Sequence, residues 1–97
     1  MDQQTLQCQV EAFFTVRNRK GMHTRPSTEL VKCAAKFKAH IRLRYHRSTI
    51  NAKSLLGIMM LAIPYGGRVW IEADGADAEE AVSALCALAS AQFYMPY

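Results

Sequence analysis

Apolar and polar residues alternate from Val10 to Val16, with Val10, Ala12, Phe14 and Val16 on one side and Glu11, Phe13, Thr15 and Arg17 on the other. A period of two predicts a strand with one buried face. Beyond it the period lengthens. Leu30, Val31, Ala34 and Phe37 recur at helical spacing, which predicts a helix over about 27–37 with Lys32, Lys36 and Lys38 in solvent. Alternation returns at His40–Tyr45, with Ile41, Leu43 and Tyr45 inward and His40, Arg42 and Arg44 outward. His46-Arg47-Ser48 reads as a hairpin turn and Thr49 to Ala52 as its short partner strand. Ser54 is a preferred helix N-cap, and a short helix over about 55–61 follows it. Pro64-Tyr65-Gly66-Gly67 turns the chain into a strand, Arg68 to Ala73, with Val69 and Ile71 inward and Trp70 outward. If this strand neighbours the first, Trp70 and Phe13 pack together on the open face. Asp77 with Glu80 forms a capping pair for a last helix. That helix buries Ala81, Val82, Leu85 and Ala89, with Leu88 or Cys86 at the flank.

This order implies an α+β fold, an open-faced sandwich. Four antiparallel strands carry three helices on one face, in the order βαββαβα. The 97 residues suit a single domain over 1–97, with 1–7 and 93–97 expected to be flexible ends. The second helix is apolar on too many sides for so small a core. Ile58 and Leu61 are assigned inward, and Leu55, Leu56 and Met59 form a candidate docking patch.

Composition narrows the function classes. Hydrophobic residues make up 51% and charged residues 21%, so the chain is expected to fold. A formal net charge of +4 favours an acidic partner: nucleic acid, a membrane surface or an acidic protein face. The side chains of His40, Arg42, Arg44, His46 and Arg47 crowd one hairpin, which keeps a small basic nucleic-acid-binding module as an alternative. No stacking-platform motif accompanies them, so a solvated sheet face is the favoured reading and no nucleic acid is expected as partner. The first residues have no basic or apolar signal-peptide region, and the longest apolar run, Leu55 to Ile63, is too short to span a bilayer. Neither a signal peptide nor membrane insertion is expected. Cys8, Cys33 and Cys86 form no C-x-x-C motif, so free thiols in a cytoplasmic setting are expected, with no metal and no cofactor.

The stretch with most chemistry in it is Gly21-Met22-His23-Thr24-Arg25-Pro26-Ser27, between the first strand and the first helix. The first N–H groups of a helix have no internal partner and carry partial positive charge, so they attract phosphate. Arg25 adds a planar charged donor. Pro26 has no N–H, which leaves Thr24 and Arg25 as the amide donors. A neutral imidazole at His23 is a candidate nucleophile, because a helix start disfavours its protonation.

Gly-Met-His-Thr-Arg-Pro-Ser resembles the active-site motif of the HPr family, the histidine-containing phosphocarriers of the bacterial sugar phosphotransferase system. Asn51-Ala52-Lys53-Ser54-Leu55-Leu56-Gly57-Ile58-Met59 resembles that family's regulatory-serine segment, at the family's separation and without a gap. The resemblance runs from about Cys8 to Ala91. It implies a carrier, not an enzyme, that works as a monomer. His23 would take a phosphoryl group from phospho-Enzyme I, which draws it from phosphoenolpyruvate, and pass it to Enzyme IIA. Arg25 and the Thr24 amide would stabilise its charge. Ser54 would be open to HPr kinase/phosphorylase, and Met22 would join the docking surface. The Gly-Met-His form also occurs in the nitrogen-related branch (NPr), a second reading of the pathway.

Overall fold

The computed structural model describes residues 9–97; the expectation for residues 1–7 lies outside them. The elements run β1 (Gln9–Thr15), α1 (Thr24–Ala34), β2 (His40–Tyr45), β3 (Ser48–Asn51), α2 (Leu55–Leu61), β4 (Arg68–Asp74) and α3 (Ala78–Ser90), followed by a short turn of helix, Gln92–Tyr94. The four strands form one antiparallel sheet in the order β1-β4-β2-β3. Three helices cover one face, so the architecture is the open-faced sandwich that the alternation predicts.

Period-two burial explains the sheet. Phe14, Val69, Ile71, Ile41 and Leu43 lie under the helices and meet Leu30, Ala34, Ala81, Leu85 and Leu88. The same register sends Phe13 and Trp70, directly paired across β1 and β4, to the open face, where their rings lie 5.0 Å apart. Tyr45 pairs with Ser48, so the hairpin loop is the two residues His46 and Arg47, and His46 has a φ of 57°.

Several expectations need correction. Helix α1 begins at Thr24, three residues early, and ends at Ala34, leaving Phe37 as a half-buried loop residue packed on the core. Asp77 stands at the N-cap position of α3 but makes no side-chain cap bond. Its carboxylate accepts instead from the N–H groups of Lys38 at 2.8 Å and Ala39 at 2.9 Å, tying the α1–β2 connection to the start of α3. An aromatic holds the start of residues 93–97: Phe93 is only 1% exposed and meets Phe14 edge-on at 5.8 Å.

Candidate active site

Gly21 starts the site. Its φ is +72°, and a Cβ there would collide with the carbonyl oxygen of Ile63. That close approach lets Met22 N–H donate to Ile63 O at 2.9 Å. The side chain of Met22 turns inward and is 4% exposed, so it belongs to the core and not to a docking surface as the resemblance implied. Ser27, also buried, donates its hydroxyl to Met22 O at 3.0 Å and locks the loop onto α1.

His23 is the N-cap residue of α1 by backbone, extended at φ −75° and ψ −174°, with no side-chain cap bond. The first backbone bond that closes on it is Ser27 N–H to His23 O at 3.1 Å. The N–H groups of Thr24 and Arg25 precede that bond, so no helical carbonyl partners them. The imidazole is half-buried, and its Nε2 is fully buried without a hydrogen-bond partner among the described residues. Burial lowers the pKa of His23 from its ordinary 6.5, and the positive charges of Lys20 and Arg25 lower it further. The ring is therefore held neutral with one nitrogen sealed, beside one arginine and two free amides. Chemically, that arrangement suits a nitrogen nucleophile toward an anionic electrophile.

The second segment lies across the α1–α2 contact. The Ser54 hydroxyl oxygen accepts from Gly57 N–H at 3.0 Å, so Ser54 is the N-cap of α2. Lys53 Nζ donates to Phe37 O at 2.7 Å and fixes the approach to this helix. Ile58 is the buried residue of α2, while Leu61 is partly buried. Leu55, Leu56 and Met59 are exposed, Leu56 to 71%, and Met60 is exposed with them although the sequence reading left it out.

Arg42 and Arg44 are not free cations. Arg42 bonds Asp74 at 2.9 Å and approaches Glu72 at 3.5 Å. Arg44 reaches Glu72 and Glu11, each at 3.2 Å, and lies over the Trp70 ring. Cys33 and Cys86 are half-buried thiols whose pKa values burial pushes up, which opposes thiolate chemistry.

A family model described as "PTS HPr component phosphorylation site" matches residues 10–91. The chain belongs to the HPr family. The phosphocarrier protein HPr of Cupriavidus necator is 38% identical over 79 residues, 81% of this chain and 89% of that one. Among solved structures, HPr-C-His from Thermoanaerobacter tengcongensis superposes with a TM-score of 0.86 at 35% identity, covering 91% of this chain and 99% of that one. HPr from Bacillus anthracis superposes with a TM-score of 0.78 at 40% identity, covering 81% of this chain and 94% of that one. The HPr family consists of phosphocarriers of the phosphotransferase system, and both motif segments fall inside the matched span. Among the described residues no helix is long and apolar enough to cross a membrane, and no side chains gather as a metal site.

Sequence reasoning missed two residues of the site. Asn18 is fully buried beneath it, and Tyr97 lies on the His23 ring. No local pattern announces either one, because their contacts run from the first loop to the last residues of the chain.

Proposed function

We propose that this protein carries a phosphoryl group on Nδ1 of His23, received from phospho-Enzyme I and handed to Enzyme IIA. One observation supports this most: a half-exposed neutral imidazole with Nε2 sealed, at a helix start whose Thr24 and Arg25 amides have no helical partner. The Nδ1 lone pair attacks the phosphorus of the donor phosphohistidine. A new N–P bond forms on His23 as the donor's N–P bond breaks, and the donor imidazole keeps that electron pair. The ring proton of His23 stays on Nε2. Arg25 and the two amides stabilise charge on the equatorial oxygens during in-line transfer. In the onward step a histidine of Enzyme IIA attacks the phosphorus, its new N–P bond forms as the His23 N–P bond breaks, and His23 Nδ1 keeps that electron pair. The protein is a substrate of phosphotransferases and not itself a catalyst. It acts as a monomer in the cytoplasm.

Both partners dock on the surface around His23 and α2, through Leu55, Leu56 and Met59. Met60 extends this patch, and Met22 is no part of it. Ser54 is a regulatory acceptor for HPr kinase/phosphorylase. A phosphate there adds about two negative charges beside the patch and opposes an acidic partner face.

The test is incubation with phosphoenolpyruvate and Enzyme I, read by intact mass on the wild type and on His23→Ala. One acid-labile phosphate on the wild type, absent from His23→Ala, is expected. A wild type that takes no phosphate, from a sugar-type or a nitrogen-type Enzyme I shown active on its own carrier, overturns the reading. Which of the two Enzymes I transfers faster assigns the branch. Addition of HPr kinase and ATP gives one acid-stable phosphate, lost in Ser54→Ala.

A further inference from the structure

The residues after α3 return to the site with more care than a chain end requires. Gln92, Phe93 and Tyr94 all have left-handed backbones, with φ of 53°, 55° and 64°. Side chains other than glycine rarely adopt this region, and such strain persists only where the surroundings enforce it. Here the surroundings are visible. Phe93 is sunk in the core, and the Asn18 side chain donates through Nδ2 to Gln92 O at 2.9 Å and to Tyr97 O at 2.8 Å. Gln92 Nε2 donates back to Arg17 O at 3.3 Å. One buried amide thus clips both ends of residues 92–97 to the loop that leads into His23.

What this clip delivers is the Tyr97 side chain. Its ring stacks on the His23 imidazole, with centroids 5.5 Å apart and planes 24° from parallel. Its hydroxyl accepts from Arg25 Nη1 at 3.3 Å, and Lys20 Nζ lies over the same ring, 5.0 Å from its centroid. A stacked ring covers one face of an imidazole and leaves the in-plane lone pair of Nδ1 open. The contact therefore restrains the nucleophile without capping it.

We propose that Tyr97 is a positioning residue of the phosphoryl-transfer site: its ring fixes the plane of the His23 imidazole, and its hydroxyl holds Arg25 beside it. The inference rests on the phosphocarrier reading for the transfer step, and on geometry alone for the restraint. Near-attack alignment of a nucleophile is a large part of such a reaction's rate, and a ring free to rotate loses it.

The variants are Tyr97→Phe, which keeps the stack and loses the hydroxyl, and Tyr97→Ala, which loses both. Tyr97→Leu keeps bulk over the ring without aromaticity and stands in if Tyr97→Ala fails to fold. The first measurement is an NMR pH titration of the His23 ring protons, which needs no partner protein. The charged and titratable groups facing His23 are Lys20, Arg25 and Tyr97 itself. In the wild type the ring protons are expected upfield from stacking, with a midpoint below 6.5. Tyr97→Ala is expected to lose the upfield shift and to raise the midpoint, and Tyr97→Phe to retain both. The second measurement is transfer from phospho-Enzyme I. Tyr97→Ala is expected to lower kcat roughly threefold to tenfold with KM unchanged, and Tyr97→Phe to fall between. A purely structural Tyr97 would lower Tm in melts and leave the His23 midpoint and kcat alone, and that result overturns the proposal. If the wild type accepts no phosphate at all, the phosphocarrier reading falls, while the NMR titration still decides whether Tyr97 restrains His23.

Discussion

Asp77 has its carboxylate on two backbone N–H groups of the α1–β2 connection, while His23 has its ring stacked on a tyrosine and feels the charge of Lys20 and Arg25. Each makes stability depend on pH, in different windows. The bond from Lys38 N–H, then that from Ala39 N–H, holds Asp77 below its ordinary 3.8. Its contribution is present above 3.8 and is lost as pH falls through the lower folded value. His23 is also lowered in the folded protein, by burial first. The unfolded chain takes up that proton first, near 6.5, so stability declines from there until the folded ring protonates too. Urea melts taken from neutral pH downward should show both declines. His23→Gln is expected to flatten the upper one only. Asp77→Asn, which replaces one accepting oxygen by a donor, is expected to flatten the lower one and to lower Tm at neutral pH. If Asp77→Asn melts like the wild type throughout, the two backbone bonds contribute nothing.

Helix α2 has seven residues, too few to be stable alone, so packing must hold it. Its anchors are Ile58 in the core, the Ser54 cap and the partly buried Leu61. Ile58→Ala is therefore expected to cost about 2–5 kcal/mol, and Ser54→Ala about 1 kcal/mol. Leu56→Ala should change stability by no more than about 0.5 kcal/mol, yet raise the KM for phospho-Enzyme I. Thermal melts beside steady-state transfer separate these. An unchanged KM for both Leu56→Ala and Met59→Ala would remove α2 from the docking surface. The same element explains what the sequence made legible. Strands were readable because a half-covered sheet imposes period two, as at Phe13, Phe14 and Thr15. The apolar excess of α2 was readable because seven residues cannot bury six large apolar side chains. The start of α1 was not, because Thr24, Arg25 and Pro26 show no apolar stripe. Met22 was misplaced because its burial depends on the contact of Gly21 with Ile63, and Asp77 because its partners lie 38 and 39 residues away. Tyr97 was read as loose because Arg25 and Asn18 meet it across 72 and 79 residues.

The net charge of +4 is unevenly spread over the molecule. On the open sheet face Arg42 and Arg44 are matched by Glu11, Glu72 and Asp74. Around the His23 loop, Arg17, Arg19, Lys20 and Arg25 have no acidic partner within ion-pair distance among the described residues. Arg17 and Arg19 line a cleft with Tyr65, Gln92 and Pro96 beside residues 92–97. Among the described residues, four cations without an ion pair thus gather at the site, where they would steer an acidic partner, while on the hairpin that suggested nucleic acid Arg42 and Arg44 are paired and Arg47 alone of its arginines is not. Unpaired surface charge raises association rates and is screened by salt, whereas half-exposed pairs contribute little beyond their own neighbourhood. The KM for phospho-Enzyme I should therefore climb with added sodium chloride. Arg19→Gln should raise KM at low salt and flatten that slope. The double variant Arg42→Gln, Arg44→Gln should leave KM and slope as in the wild type, and fluorescence anisotropy should find no salt-steep binding of a single-stranded oligonucleotide to either protein. The reverse pattern, with the slope carried by Arg42 and Arg44, would place the working charge on the sheet face and make the hairpin the interface.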